Sequence, residues 1–251
     1  FNSTQVYPAI SYNKALEDEH NSYLSVGFTG GFISRSVDQS KMTFTNQWVN
    51  GAYDPLNPTG ENATYKNLNN YDLGAGVSLN SSLDPNGIFN YYLGASVYHI
   101  NSPSEIFAGA DAVKLPMKWQ FSAGFHCSFN QSFGLTVHGN YSMENPYTNL
   151  IFGGLLTWRS VPVGLPSIFA IHFGAFYRNN DAFIPTIKID YKDVSFGYSQ
   201  DVTNSSLATG TNGASATEIS LYVRGNYNHR KNPRDPIMCP RFEDLNNYNF
   251  R

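Results

Sequence analysis

The chain has 251 residues, 41% hydrophobic and 15% aromatic, with only 14% charged and a formal net charge of -3. A soluble enzyme keeps its surface charged, and a nucleic-acid partner asks for a basic stripe; neither expectation fits, and no run of about 18 apolar residues offers a helical membrane span. The mean hydropathy of -0.34 leaves a β-barrel open, because only alternate residues of a barrel strand face lipid.

Taken in chain order, the first two strand-length runs, 4–16 and 22–36, match alternation weakly, since Pro8 interrupts one and Gly30-Gly31 the other. From Tyr71 the period of two is clean. Tyr71, Leu73, Ala75, Val77 and Leu79 alternate with Asp72, Gly74, Gly76, Ser78 and Asn80. The turn Asp84-Pro85-Asn86-Gly87 then leads into Phe89, Tyr91, Leu93, Ala95 and Val97, which predicts a hairpin. Met117, Trp119, Phe121, Ala123 and Phe125 oppose Lys118, Gln120, Ser122, Gly124 and His126, and Phe133, Leu135, Val137, Gly139 and Tyr141 oppose Thr136, His138, Asn140 and Ser142. Leu150, Phe152, Leu156 and Trp158 continue opposite Asn149, Thr157 and Arg159. Four further runs follow at 169–178, 184–191, 194–200 and 218–227. The reading is all-β, with about eleven antiparallel strands and no helix beyond two turns.

The connections alternate between short ones (17–21, 84–87, 130–132, 160–167, 192–193) and a longer set (37–70, 101–115, 144–146, 179–183, 201–215), two of which are brief. Short periplasmic turns and longer outward loops are the habit of an outer-membrane barrel. A barrel with both termini in the periplasm needs an even strand number, so this count predicts that N-terminal strands are missing. Residues 1–227 then form the N-terminally incomplete barrel. Residues 228–251, with Pro233, Pro236 and Pro240, form a non-strand periplasmic tail. The chain starts at Phe1 with no signal-peptide pattern.

Several side chains invite chemistry. His99, His126, His138 and His172 fall in the predicted strands, but neither a nucleophile elbow nor a metal-binding helix surrounds them, so no catalysis is expected. Cys127 and Cys239 lack a CxxC pattern or clustered His, and neither a metal nor a cofactor is expected. Asp72, Lys118, Arg159, Arg178, Lys188, Asp190, Glu218 and Arg224 take equivalent faces. Arg or Lys at the bilayer midplane costs about 2–4 kcal/mol, which turns these charges toward the lumen. There they contact cargo or pair with one another. Trp48, Tyr53, Ile106 and Phe107 in the long loops, with Asn179, Asn180 and Asp181, are the candidate partner-binding residues.

Ser40-Lys41-Met42-Thr43-Phe44 with Gln47 resembles the loop after an early strand in the PorP/SprF family. Tyr92-Leu93-Gly94-Ala95-Ser96-Val97-Tyr98-His99-Ile100-Asn101, with Pro103 and Glu105, is similar to that family's most recognisable segment. Tyr177-Arg178-Asn179-Asn180-Asp181-Ala182-Phe183-Ile184-Pro185, Asp190-Tyr191-Lys192 and Ser195-Phe196-Gly197-Tyr198-Ser199 resemble it too. The resemblance runs from Ile33 to the last strand. It implies a barrel of about 14 strands, about three of them absent from this chain. It also implies an outer-membrane role in type IX secretion in Bacteroidetes-type bacteria. The barrel would serve in the apparatus, or anchor a secreted adhesin or enzyme by that protein's C-terminal domain, with a link to gliding motility. The expected partners are this cargo, other machinery components and outer-membrane lipid, with no nucleic acid. A solute-transport barrel and a soluble all-β binding domain are the alternatives.

Overall fold

The computed structural model describes residues 2–16, 19–36, 38, 42–60, 68–104, 114–160, 169–206, 208–211 and 214–223. Its strands are β1 (Asn2–Val6), β2 (Ala9–Ala15), β3 (Tyr23–Ser36), β4 (Trp48–Val49), β5 (Ala52–Tyr53), β6 (Leu68–Ser82), β7 (Phe89–Tyr98) and β8 (Lys118–Ser128). They continue as β9 (Phe133–Glu144), β10 (Tyr147–Ser160), β11 (Phe169–Arg178), β12 (Ala182–Tyr191), β13 (Val194–Thr203) and β14 (Ala214–Val223). One helix, α1, is a single turn over Ala208–Thr211. Among the described residues no helix is long and apolar enough to cross a membrane.

Twelve strands form one sheet in the order β1-β3-β6-β7-β8-β9-β10-β11-β12-β13-β14, with β2 also on β3, while β4 and β5 make a separate hairpin. β1 and β3, and the successive pairs from β9 to β14, are antiparallel. From β8 to β10 and from β11 to β13 the connections are too short to cross the sheet, which fixes next-neighbour order there. The chain divides into two compact units. Unit 1 comprises Phe1–Ile10, Gly27–Ala75 and Val97–Lys118; unit 2 comprises Ser11–Val26, Gly76–Ser96 and Trp119–Arg251.

Two weak sequence matches resolve oppositely. The run expected over 4–16 is broken into β1 and β2 at Tyr7-Pro8, where proline has no N–H for the ladder and only its carbonyl accepts, from Gly30 N–H at 3.2 Å. Gly30-Gly31 breaks nothing, and β3 runs unbroken for 14 residues. Gly31 is bare because the Tyr7 ring occupies the space that a Cβ would fill.

Other boundaries need correction. Met117 precedes β8, and His99 lies beyond β7 with a left-handed φ of 57° rather than in a strand. The last strand begins earlier than expected, at Ala214, and is described to Val223; residues 224–227 of the expected run lie outside the described residues. So does the tail 228–251 with Cys239; Cys127 is a free thiol.

Burial is inverted relative to a soluble domain. The buried hydrophobic residues are Ile33, Ala170, Ala182 and Ile184, whereas Asp72, Asn90, His126, Thr136, Thr157, His172, Asp190 and Ser195 are buried and polar. In β8 the alternation is explicit: Trp119, Phe121, Ala123 and Phe125 are exposed, and Gly124 and His126 are buried between and beside them. A soluble sandwich buries its aromatic face. Here that face is the outer one, repeated by Phe152, Leu156 and Trp158 on β10 and by Phe183 and Ile187 on β12.

Candidate functional site: the polar inner face and its loops

Within unit 2, antiparallel order sets the turns 83–88, 129–132 and 192–193 at one end of the strands and the turns 145–146, 179–181 and 204–213 at the other. The fully buried polar side chains gather near the first end. His126 is completely buried and Asn90 is 1% exposed. An unsatisfied buried polar group costs about 1–3 kcal/mol, and Asn90 Oδ1 has no hydrogen-bond partner among the described residues. His126 has Thr136 Oγ1 at 2.8 Å from Nδ1 and Ser128 Oγ at 3.1 Å from Nε2.

A second network crosses three strands. Register sets Thr157 of β10 against His172 of β11, His172 against Lys188 of β12, and Asp190 of β12 against Ser195 of β13. Thr157 Oγ1 lies 2.8 Å from His172 Nδ1, His172 Nε2 lies 3.1 Å from Asp190 Oδ2, and Lys188 Nζ donates to the same oxygen at 3.1 Å. An ionised carboxylate only accepts, so Nε2 carries the hydrogen toward Asp190 and the threonine hydroxyl donates to Nδ1 when the ring is neutral.

Midway along the strands the inner face carries aromatic rings laid over glycines. Tyr92 of β7 reaches across Gly124 of β8, its hydroxyl 3.3 Å from His138 Nδ1 on β9, and the His138 ring lies 6.3 Å from that of Phe176 on β11. A Cβ at Gly124 would overlap the Tyr92 ring, and one at Gly153 the Phe176 ring and backbone. Glycine on the intervening strand lets side chains of alternate strands touch.

At the opposite end, Arg178 Nη1 donates to Asp181 Oδ2 at 2.9 Å and to Asp201 Oδ2 at 2.8 Å. The turn is tight because Asn180 takes a left-handed φ of 57°, which Asn tolerates, and Asp181 N–H closes on Arg178 O at 3.1 Å. Asn179 and Asn180 remain exposed beside this triad.

Unit 1 holds two features of its own. The segment 42–60 folds on itself around Gln47, which is 5% exposed. Gln47 Oε1 accepts from Phe44 N–H at 3.1 Å, and its backbone carbonyl accepts from Asp54 N–H at 2.8 Å. Asn50 and Gly51, at φ 54° and 80°, make the two-residue turn of the β4–β5 hairpin. This hairpin sets Trp48 opposite Tyr53 with ring centroids 5.9 Å apart. Trp48 is 59% exposed and Leu56 91%. The second feature is Asp72, 3% exposed, whose Oδ2 accepts from Tyr7 Oη at 2.9 Å and faces His99 Nδ1 at 2.8 Å.

Of the residues singled out in the sequence, the structure brings together Trp48 with Tyr53, Arg178 with Asp181, and Lys188 with Asp190. Lys118 and Arg159 are half-buried, and Glu218 is exposed on β14. Ile106, Phe107 and Arg224 lie outside the described residues. The sequence reading missed Asp201 as a partner of Arg178, Tyr7 as a partner of Asp72, and the inward placement of Tyr92 and Phe176. Strand parity from Asn90 and from His172 is a signal that assigns the last two.

An aromatic exterior over a hydrogen-bonded polar interior, on strands of 10–15 residues, is the arrangement of a membrane barrel wall, which needs about 9–11 residues per crossing. A family model described as type IX secretion system membrane protein PorP/SprF matches residues 1–222. The chain belongs to the PorP/SprF family. No curated protein and no solved structure matches it. As a PorP/SprF chain it is a membrane protein of type IX secretion, and its fold class is the antiparallel transmembrane β-barrel.

Proposed function

We propose that this PorP/SprF protein sits in the outer membrane and anchors, or helps export, a secreted surface protein by that protein's C-terminal domain. It does so by binding alone, without catalysis. The partner meets the longer connections, with Trp48 and Tyr53 of the braced hairpin and Asn179, Asn180 and Asp181 as contacts. Other components of the type IX machinery are partners in the same role. Where the cargo is a motility adhesin, loss of this protein stops gliding.

One observation carries the reading. The inner face of unit 2 is buried and hydrogen-bonded at the end of the turns 83–88, 129–132 and 192–193, through His126, Thr136, Thr157, His172 and Asp190, while Arg178 and Asp181 stay partly accessible at the opposite end. Side chains so packed favour a receptacle over a water-filled conduit. Tyr and Trp on a pre-braced hairpin are the residue types that dominate binding energy when seated in a partner's pocket.

The test is recovery of the protein from native outer membranes in mild detergent, followed by identification of what accompanies it. The expectation is a secreted protein bearing a type IX C-terminal domain, depleted at least tenfold in a Trp48→Ala, Tyr53→Ala double variant that reaches the membrane in normal amount. Recovery without such cargo, together with steady single-channel conductance in planar bilayers, would replace the anchor with a solute-transport barrel.

A further inference from the structure

We infer that Tyr7 is a strap: through the buried carboxylate of Asp72 it ties the edge segment β1–β2 to the root of the β7–β8 connection, so that loosening either loosens the other.

The edge segment is poorly held by its own backbone. Every residue of β1 is exposed, and the ladder onto β3 is interrupted at Pro8, which has no N–H to give. At that interruption the Tyr7 ring crosses β3 over the bare backbone of Gly31. Its hydroxyl donates to Asp72 Oδ2 at 2.9 Å on β6, the strand beyond β3. A side chain thus supplies the link that the proline removes.

Asp72 also serves the other side. The oxygen that receives Tyr7 lies 2.8 Å from His99 Nδ1, and Asp72 Oδ1 has no hydrogen-bond partner among the described residues. His99 is the first residue past β7 and holds a φ of 57°, a conformation that costs a residue with a Cβ and persists only where contacts fix it. Immediately beyond it the chain is clamped to the residues that flank Asp72. Ile100 N–H donates to Leu73 O at 3.0 Å, Leu73 N–H to Asn101 Oδ1 at 3.1 Å, and Asn101 Nδ2 to Tyr71 O at 2.6 Å. The Asn70 amide donates to Ser104 O, and Leu115 N–H to Pro103 O at 2.9 Å, which closes the root. The edge segment and the root of the connection therefore share one carboxylate oxygen. A group shared in this way couples their opening reciprocally.

Hydrogen exchange on the full chain, refolded in detergent, tests the strap. Tyr7→Phe keeps the ring over Gly31 and removes only the donor; Gly31→Ala keeps every donor and displaces the ring. Each is expected to speed exchange at Ile100 and Leu115 about tenfold, the scale of a lost hydrogen bond to a carboxylate. His99→Ala should act in reverse and speed exchange at Gly30, whose N–H donates to Pro8 O. Asn179 and Asn204, held by Leu150 O and Asp181 O in unit 2, should keep their rates. Unchanged rates at Ile100 and Leu115 in both Tyr7→Phe and Gly31→Ala would overturn the proposal. So would an equal acceleration of Asn179 and Asn204, which means general destabilisation rather than a strap.

Discussion

Replacing Leu156 by arginine tests the inverted packing directly. Leu156 lies on the outer face of β10, 44% exposed, in the file Leu150, Phe152, Gly154, Leu156 and Trp158. With a rise of about 3.4 Å per residue and a tilt of about 45°, Leu156 stands about 5 Å from the height of Gly154 at the middle of that file. Thr148, on the same face near the start of the strand, stands about 14 Å away, at the edge of an apolar band about 25 Å tall. An arginine near the midplane costs about 2–4 kcal/mol and one at the interface about 0–1. Leu156→Arg is therefore expected to cost about 2–3 kcal/mol more than Thr148→Arg. Denaturant titration of protein refolded into lipid vesicles, followed by tryptophan fluorescence, measures both. If that face met water, arginine at either site would change stability by less than about 0.5 kcal/mol. Equal costs for the two variants would refute the lipid-facing assignment of β10.

Three more outcomes follow from the contacts. Asp190→Ala strands His172 and Lys188 on the inner face and should cost about 2 kcal/mol in the same titration, at the low end for a broken inner pair because Lys188 is partly solvated. Gly153→Ala would place a Cβ 2.5 Å from Phe176 Cα, forcing the backbone to move at about 2 kcal/mol or more, whereas Gly139→Ala meets nothing within 4 Å and should stay within about 0.5 kcal/mol. For Asp84, in the turn after β6, burial is the largest single influence and pushes the pKa up, but the N–H groups of Phe89, Ile88 and Asn86 and the Ser82 hydroxyl together outweigh it and hold the pKa below the usual 3.8. A depressed folded pKa contributes stability above the unfolded value that is lost as pH falls through the folded one. The wild-type midpoint should thus drop on acidification below about pH 4, and Asp84→Asn should flatten that step.

The strands were legible because their physics is local. Alternation over runs such as 71–79 and 117–126 records which residue faces which way, and pairing merely realises it. Residues 22–36 misled because whether Gly31 breaks a strand or admits a ring depends on Tyr7, whose position relative to it is set by pairing of β1 with β3. The partners of charges were less legible still. Arg178 and Asp181 are three residues apart, but Asp201 reaches Arg178 only after β12 returns the chain, so nothing in the spacing marks it. The Trp48–Tyr53 pair hides in a long loop because two-residue strands carry no period; its one local sign is Asn50-Gly51.

Once its outer face meets lipid tails, a barrel wall gains little from hydrophobic contact between strands, and cohesion falls to the backbone ladder and to inner polar contacts. In unit 2 those contacts are unevenly spread. Toward the 192–193 turn, Thr157, His172, Asp190 and Lys188 bind three strands into one network, and His126 and Thr136 bind two more. Toward the other end Arg178 and Asp181 stay partly exposed in their ion pair, and Asn179 and Asn180 stand exposed beside them. Groups already open to solvent move at less cost than buried ones. A partner that must rearrange side chains to seat itself therefore does so most cheaply at the Arg178 end, while the opposite end keeps the strands in register.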